Sequence, residues 1–325
     1  MSVPHRTEPS VTDVHEAAAA LAPHLAPTPV VACAEVDAWA GAPVRAKAEV
    51  LQPTGSFKVR GALNRIRTLS TTDRDRGLIT VSAGNAALGA AHAARLYGAG
   101  LTVVMAQNAV REKVEAVASL GATVITAGVA DAAAAFARAA RLRAQNDLTF
   151  LHPFDDPMVI AGAATATLEF LDECPDLTRL YVPCSGGGLL AGAVLAMRAA
   201  AVDIELIAVQ PDGSASLATS LAAGEPRPRS GIDTIVDALT APAPGFLNLR
   251  LIASADVRVV TVPDGATLAA MAVVIRHTRL IVEPAGAIAV AAVKADVDGG
   301  RPPSGPVGVL LSGGNASGPL LATLT

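Results

Sequence analysis

Short apolar runs alternate with Ala-rich amphipathic stretches almost from one end of the chain to the other. Runs at 44–48, 78–81, 101–105, 123–126, 179–183, 205–209, 258–262 and 307–311 have the length of strands and are mostly aliphatic. Between them, 86–97, 110–120, 132–144 and 165–171 repeat apolar positions at helical spacing. Such alternation predicts an α/β chain built of two open, twisted parallel-sheet domains with helices on both faces. The stretch 78–150 reads as a compact strand–helix unit inserted in a larger one. The expected division is therefore a large domain from 1–70 with 150–325, and a small domain from 71–149. The Ala-rich tracts are helical rather than low-complexity, and no internal repeat is visible. The longest irregular stretch, 224–245, is rich in Pro, Arg and Gly and reads as an active-site or interdomain loop.

Composition narrows this picture. Hydrophobic residues make up 51% of the 325 and charged ones 17%, which argues against disorder. Aromatics are only 3%, so the core has to be assembled from Ala, Val, Leu and Ile. A net charge of −4 with mixed signs and no basic block gives nucleic-acid binding no electrostatic support. Residues 1–16 are polar and lack the apolar centre of a secretory leader, and no apolar run is long enough to span a bilayer. Cys33, Cys174 and Cys184 are widely spaced and odd in number, as expected of buried thiols in a reducing compartment. A cytoplasmic protein without membrane contact is the expectation. His5, His15, His24, His92, His152 and His277 show no metal-ligand spacing, so no metal is expected. A Gly-x-Ser-x-Gly elbow is absent.

The chemistry concentrates in glycine-rich junctions. In Pro53-Thr54-Gly55-Ser56-Phe57-Lys58-Val59-Arg60-Gly61, a lysine follows a Gly-Ser turn at the expected start of a helix. A lysine withdrawn from solvent there can form a Schiff base with a carbonyl cofactor; the plainer alternative is an exposed cation opening a helix. A strand at 179–183 runs into Ser185-Gly186-Gly187-Gly188 and a helix, where backbone amides and the helix dipole suit a single phosphate. A tight turn is the alternative, and neither a Walker sequence nor a dinucleotide fingerprint is present. Ser82-Ala83-Gly84-Asn85 is another strand-to-helix loop, able to grip a carboxylate or simply to cap the helix. Ser312 ends the strand at 307–311, at the carboxyl edge where open α/β sheets bind ligands. Glu283 precedes Pro284 at the head of an apolar helix, which needs no functional explanation.

Taken together, Thr54 to Ala62, Ser82-Ala83-Gly84-Asn85, Ser185 to Gly188, Glu283-Pro284-Ala285-Gly286 and Ser312-Gly313-Gly314-Asn315 stand in a characteristic order. With Thr28-Pro29 and the stretch from His152 to Gly162, they make the chain resemble the pyridoxal-phosphate-dependent serine/threonine dehydratases of the tryptophan-synthase-β-like fold type II group. The resemblance covers 27–317. It implies pyridoxal 5'-phosphate in the cleft between the two domains, with Lys58 as catalytic Schiff-base lysine. It further implies a phosphate cradle at Ser185, Gly186, Gly187 and Gly188, a ring-oxygen contact at Asn85 and a pyridine-nitrogen contact at Ser312. Phe57 and Glu283 would lie beside the cofactor, and Thr54, Ser82, Ala83 and Gly84 beside the substrate carboxylate. The implied enzyme is an ammonia-lyase, converting L-threonine to 2-oxobutanoate or L-serine to pyruvate with release of ammonia. Lys58 would take the Cα proton and the β-hydroxyl would leave as water. A homodimer is implied, with an amino acid as the only small-molecule partner.

The chain departs from that family in places that bear on substrate. Ala86 and Leu88 stand where members usually carry His and Gln, and Val236-Asp237-Ala238 where they carry Ala-Asp-Gly. Ala163-Ala164 replaces a Gln-Gly pair. Gln210 and Ser216 occupy positions at which some relatives bind a divalent cation, so such a metal is not expected. Ala83 stands where racemases carry a serine base, which disfavours racemisation. A feedback-regulatory domain is not expected after Asn315. The alternatives are β-elimination or replacement on another amino acid, such as hydroxyaspartate or a diamino acid, and a catalytically silent binding protein.

Overall fold

A computed structural model describes residues 7–126, 128–129 and 132–324. Its strands are β1 (Val30–Ala32), β2 (Val44–Lys47), β3 (Leu78–Val81), β4 (Leu101–Val104), β5 (Thr123–Ile125), β6 (Thr149–Phe150), β7 (Arg179–Pro183), β8 (Glu205–Pro211), β9 (Val257–Val262) and β10 (Val307–Leu310). They form a six-stranded sheet in the order β1-β2-β10-β7-β8-β9 and a four-stranded sheet in the order β5-β4-β3-β6. Every pairing is parallel except the edge pair β1–β2, which is antiparallel. All eight expected strands are present. The two additions, β1 and β6, are three and two residues long, too short to carry a period in the sequence.

Burial on both faces follows from alternation within each strand. In the larger sheet Leu180, Val182, Leu206, Ala208 and Leu310 pack on one side with helices Pro157–Glu173 and Gly188–Ala200. Their neighbours Tyr181, Ile207, Val209 and Val309 pack on the other, against helix Pro284–Asp298. The smaller sheet repeats the scheme. Leu78, Leu101 and Val103 meet helices Lys58–Arg67 and Asn85–Leu96, while Ile79, Val81 and Val104 meet Ala135 and Ala139. Alanine on these helices lets them approach the sheets closely, which is how a chain so poor in aromatics fills its core.

Helix starts were partly legible. Asp156 accepts from the amides of Met158 and Val159 with Pro157 at the first helical position, so the expected 165–171 helix begins eight residues earlier. The three cysteines are free and buried. Among the described residues no helix is long and apolar enough to cross a membrane. His5 lies outside the described residues.

Candidate active site

Lys58 opens helix Lys58–Arg67 directly after Phe57, a start with no side-chain cap. Tertiary bonds hold it instead. The Phe57 amide donates to the Ser312 carbonyl at 3.1 Å, and Ser56 pairs with Gly313 in an isolated antiparallel bridge. The lysine turn is thereby joined to the carboxyl end of β10. Lys58 Nζ donates to the Pro153 carbonyl at 3.2 Å and lies 5.1 Å from the centroid of the Phe57 ring. Burial lowers this amine to about 8, which makes a neutral, nucleophilic lysine accessible near physiological pH. A cavity of about 20 Å³, room for about one water, adjoins it and is lined by Lys58, Arg65, Thr80, Ala86, His152 and Pro153 among others. The simpler possibility of a freely exposed lysine is therefore set aside.

The glycine cluster lies where β7 gives way to helix Gly188–Ala200. Gly187 is its N-cap at φ 92°, a left-handed backbone that other residues adopt only under strain. A Cβ on Gly186 would stand 2.6 Å from the Phe154 ring. The first-turn amides of the helix have no preceding turn to donate to, which leaves an anion-binding end. Ser185 Oγ accepts from the Ala241 amide at 3.0 Å. The Gly186 carbonyl accepts from the Gly245 amide at 3.0 Å and from Asn248 Nδ2 at 2.7 Å. Asp155 Oδ1 in turn accepts from the amides of Leu247 and Asn248 at 3.0 and 3.2 Å. Asn248 carried no sequence signal, because nothing near it in the chain hints at its partners.

Asn85 is the first residue of helix Asn85–Leu96. Its Nδ2 donates to Glu283 Oε1 at 2.5 Å, and its Oδ1 accepts from Asn315 Nδ2 at 2.7 Å. Asn315 Nδ2 also donates to the Thr54 carbonyl at 2.9 Å, which closes a circuit back to the lysine turn. Buried Glu283 is raised to about 7, first by desolvation and then by the Asp237 carboxylate, against the pull of Asn85, Lys113 and the Asn315 backbone. Asp237 is ion-paired with Lys113, from helix Arg111–Ser119 beside the smaller sheet. Ser312 is buried, and its hydroxyl donates to the Ala285 carbonyl at 3.1 Å.

The loop before Asn85 is more open. Ser82 and Gly84 are half-buried, Ala83 is exposed, and Ser82 Oγ accepts from the Gly84 amide at 3.2 Å. The helix N-cap is Gly84, so neither Ser82 nor Asn85 caps it as sequence alone allowed. Gln210 is committed elsewhere: its Oε1 accepts from the amides of Ser216 and Leu217, and its Nε2 donates to the Cys184 carbonyl. It braces the end of β8 against the glycine loop.

These elements fit a phosphorylated carbonyl cofactor. A half-buried, deprotonable lysine is tied through Phe57 to the strand end that carries Ser312 and through Pro153, next to Phe154, to the wall of the glycine-bounded helix N-terminus. Thr54 Oγ1, nearby in the chain, is buried without a hydrogen-bond partner among the described residues, a group available to a ligand. The fold and site thus define a pyridoxal-phosphate enzyme of fold type II. Residues 21–313 match the family model described as "Pyridoxal-phosphate dependent enzyme", and the chain belongs to that family, with pyridoxal phosphate as its cofactor. An L-threonine ammonia-lyase of Thermotoga maritima is 37% identical over 278 residues, 85% of this chain and 68% of that protein. A serine racemase of Oryza sativa subsp. indica is 33% identical over 315 residues, 96% of this chain and 92% of that protein. The structure of maize serine racemase superposes with a TM-score of 0.92 at 32% identity, covering 98% of this chain and 97% of the other.

Proposed function

We propose that the protein is an ammonia-lyase acting on a β-hydroxy amino acid, most simply L-threonine or L-serine. The observation that carries this reading is Lys58, an amine lowered to about 8 by burial at the head of a helix joined to Ser312. When bound, pyridoxal phosphate supplies an electron sink for the substrate Cα. Lys58 would hold the cofactor covalently, and its amine would serve as general base toward the Cα proton. Ser185 and the amides of Gly186, Gly187 and Gly188 hold the phosphate, and the Asn85 amide orients the ring beside Phe57 and Glu283. Ser312, its hydroxyl turned from the Ala285 carbonyl, would offer the pyridine nitrogen a neutral partner, where a carboxylate would hold it protonated. That choice weakens the sink and favours loss of the β-hydroxyl as water over transamination. Thr54 and the Ser82-Ala83-Gly84 loop receive the substrate carboxylate. The products are a 2-oxo acid and ammonia.

Relatives named as serine racemases motivate a second reading, but exposed Ala83 carries no group able to return a proton from the opposite face. The same proposal includes a larger body of 1–70 with 150–325, a smaller one of 71–149, a homodimer and a cytoplasmic setting. The test is a visible spectrum of the purified protein titrated with L-threonine and L-serine while 2-oxo acid, ammonia and D-serine are followed. A spectral shift with 2-oxo acid and ammonia release supports the lyase. D-serine without 2-oxo acid supports the racemase, and a spectrum blind to both amino acids redirects the search to substrates that suit Ala86 and Leu88.

A further inference from the structure

Two residues beyond Lys58, in the same helical turn, Arg60 is 1% exposed and carries a saturated guanidinium. Nε and one Nη donate to the two oxygens of Glu49 at 2.7 and 2.8 Å. The Nη atoms donate to the two oxygens of Glu169 at 2.7 and 2.8 Å, and Nη1 also reaches Thr165 Oγ1 at 3.1 Å. All five N–H groups of the side chain are thus used. The partners are themselves braced. Thr28 donates to Glu49 at 2.6 Å, and buried Lys47 pairs with Glu169 at 3.1 Å. Helix Asn85–Leu96 presses on the other side of the turn, where a Cβ on Gly89 would stand 2.9 Å from the Lys58 carbonyl carbon.

Buried ionic networks of this kind seldom stabilise a fold more than apolar side chains of the same volume would. A double fork does fix position and orientation, because the guanidinium is planar and both carboxylates are gripped through two oxygens. We propose that Arg60 is a positioning residue for Lys58, its clamp between Glu49 and Glu169 setting where the lysine amine stands. The inference rests on the reading of Lys58 as the cofactor-bearing lysine, and its test separates the two. Among the described residues that line the cavity beside that amine, the other charged or titratable ones are Arg65, paired with Asp156 at 3.0 Å, and His152. Neither touches the Arg60 clamp through any bond described above.

Arg60→Lys keeps the charge but offers three donors, and Glu169→Gln removes the charge of one fork. Full-length protein is pulsed with acetic anhydride between about pH 6 and about pH 10, with and without pyridoxal phosphate, and the Lys58 peptide is quantified by mass spectrometry. In the native chain, labelling without cofactor is expected to rise with a midpoint near 8. Both variants are expected to move that midpoint up toward free lysine and to lower kcat by roughly tenfold to a hundredfold, with KM changed by less than about threefold. Lowered Tm with midpoint and kcat unchanged makes the clamp purely structural and overturns the proposal. If Arg60→Lys does not fold, Glu169→Gln carries the same readouts. Failure of pyridoxal phosphate to protect Lys58 in the native chain counts against the cofactor-lysine reading alone, since the comparison without cofactor still stands.

Discussion

Replacing Glu283 by glutamine isolates a single buried proton. Glu283 is 2% exposed and is raised from the ordinary 4.5 to about 7. Burial is the larger cause and the Asp237 charge the next, while Asn85 and Lys113 offset part of both. In the unfolded chain the carboxyl loses its proton near the ordinary value, so between that value and about 7 only the folded state holds it. A raised folded-state pKa gives stability that is complete at low pH and is lost as pH rises through this window, by about 1.4 kcal/mol per pH unit. Across the whole window that is about 3 kcal/mol. Glutamine has the same shape, keeps an oxygen for Asn85 Nδ2 and cannot titrate. Urea unfolding of the full-length, cofactor-stripped native and Glu283→Gln proteins, followed by far-ultraviolet circular dichroism at about pH 4.5 and about pH 8, reads the difference directly. The native protein is expected to lose about 3 kcal/mol relative to the variant between the two conditions, since other titrating groups are common to both. Parallel pH dependences would refute the reasoning, because they would mean that Glu283 ionises alike in the folded and unfolded chains.

Two further outcomes follow from the same geometry. Lys58→Ala is expected to abolish 2-oxo acid formation and the Schiff-base absorbance while leaving the circular dichroism of the fold intact; turnover close to native would remove Lys58 from the mechanism. Gly186→Ala puts a methyl group 2.6 Å from the Phe154 ring, an overpacking expected to cost about 1–3 kcal/mol in urea unfolding and to weaken cofactor retention on dialysis. Native stability and native retention together would show that the ring gives way freely.

Much of the architecture was open to a reader of the chain, and particular residues show why. In the run Leu78–Val81, Leu78 faces one cluster and Ile79 and Val81 the other, with buried Thr80 between them, the pattern of a strand covered on both faces. Pro284 marks a first helical turn through a restriction that acts on its own φ angle, and Pro157 does the same for a helix that the apolar period placed only at 165–171. The glycines at 186–188 announce a turn, where Gly187 has a positive φ and a Cβ on Gly186 would meet the Phe154 ring. By contrast β1 exists only because β2 lies beside it, and β6 only because β3 does.

The site divides along the same line. Lys58, Asn85, Ser185, Glu283 and Ser312 could be picked out from the chain because their motifs stand in the order of a known family, although the local chemistry of each left a plainer turn or cap open. What they do to one another could not. Asn85 and Glu283 are 198 residues apart, and Arg60 and Glu169 are 109 apart, yet both pairs are in direct hydrogen-bond contact. Backbone preference and burial period are properties of neighbours along the chain, so sequence by itself determined eight of the strands, some of the helix starts and the glycine-rich junctions. The lowered amine of Lys58, the raised carboxyl of Glu283 and the double fork on Arg60 were decided by tertiary structure alone. Desolvation and charge–charge interaction depend on distance through space, and only folding sets that distance.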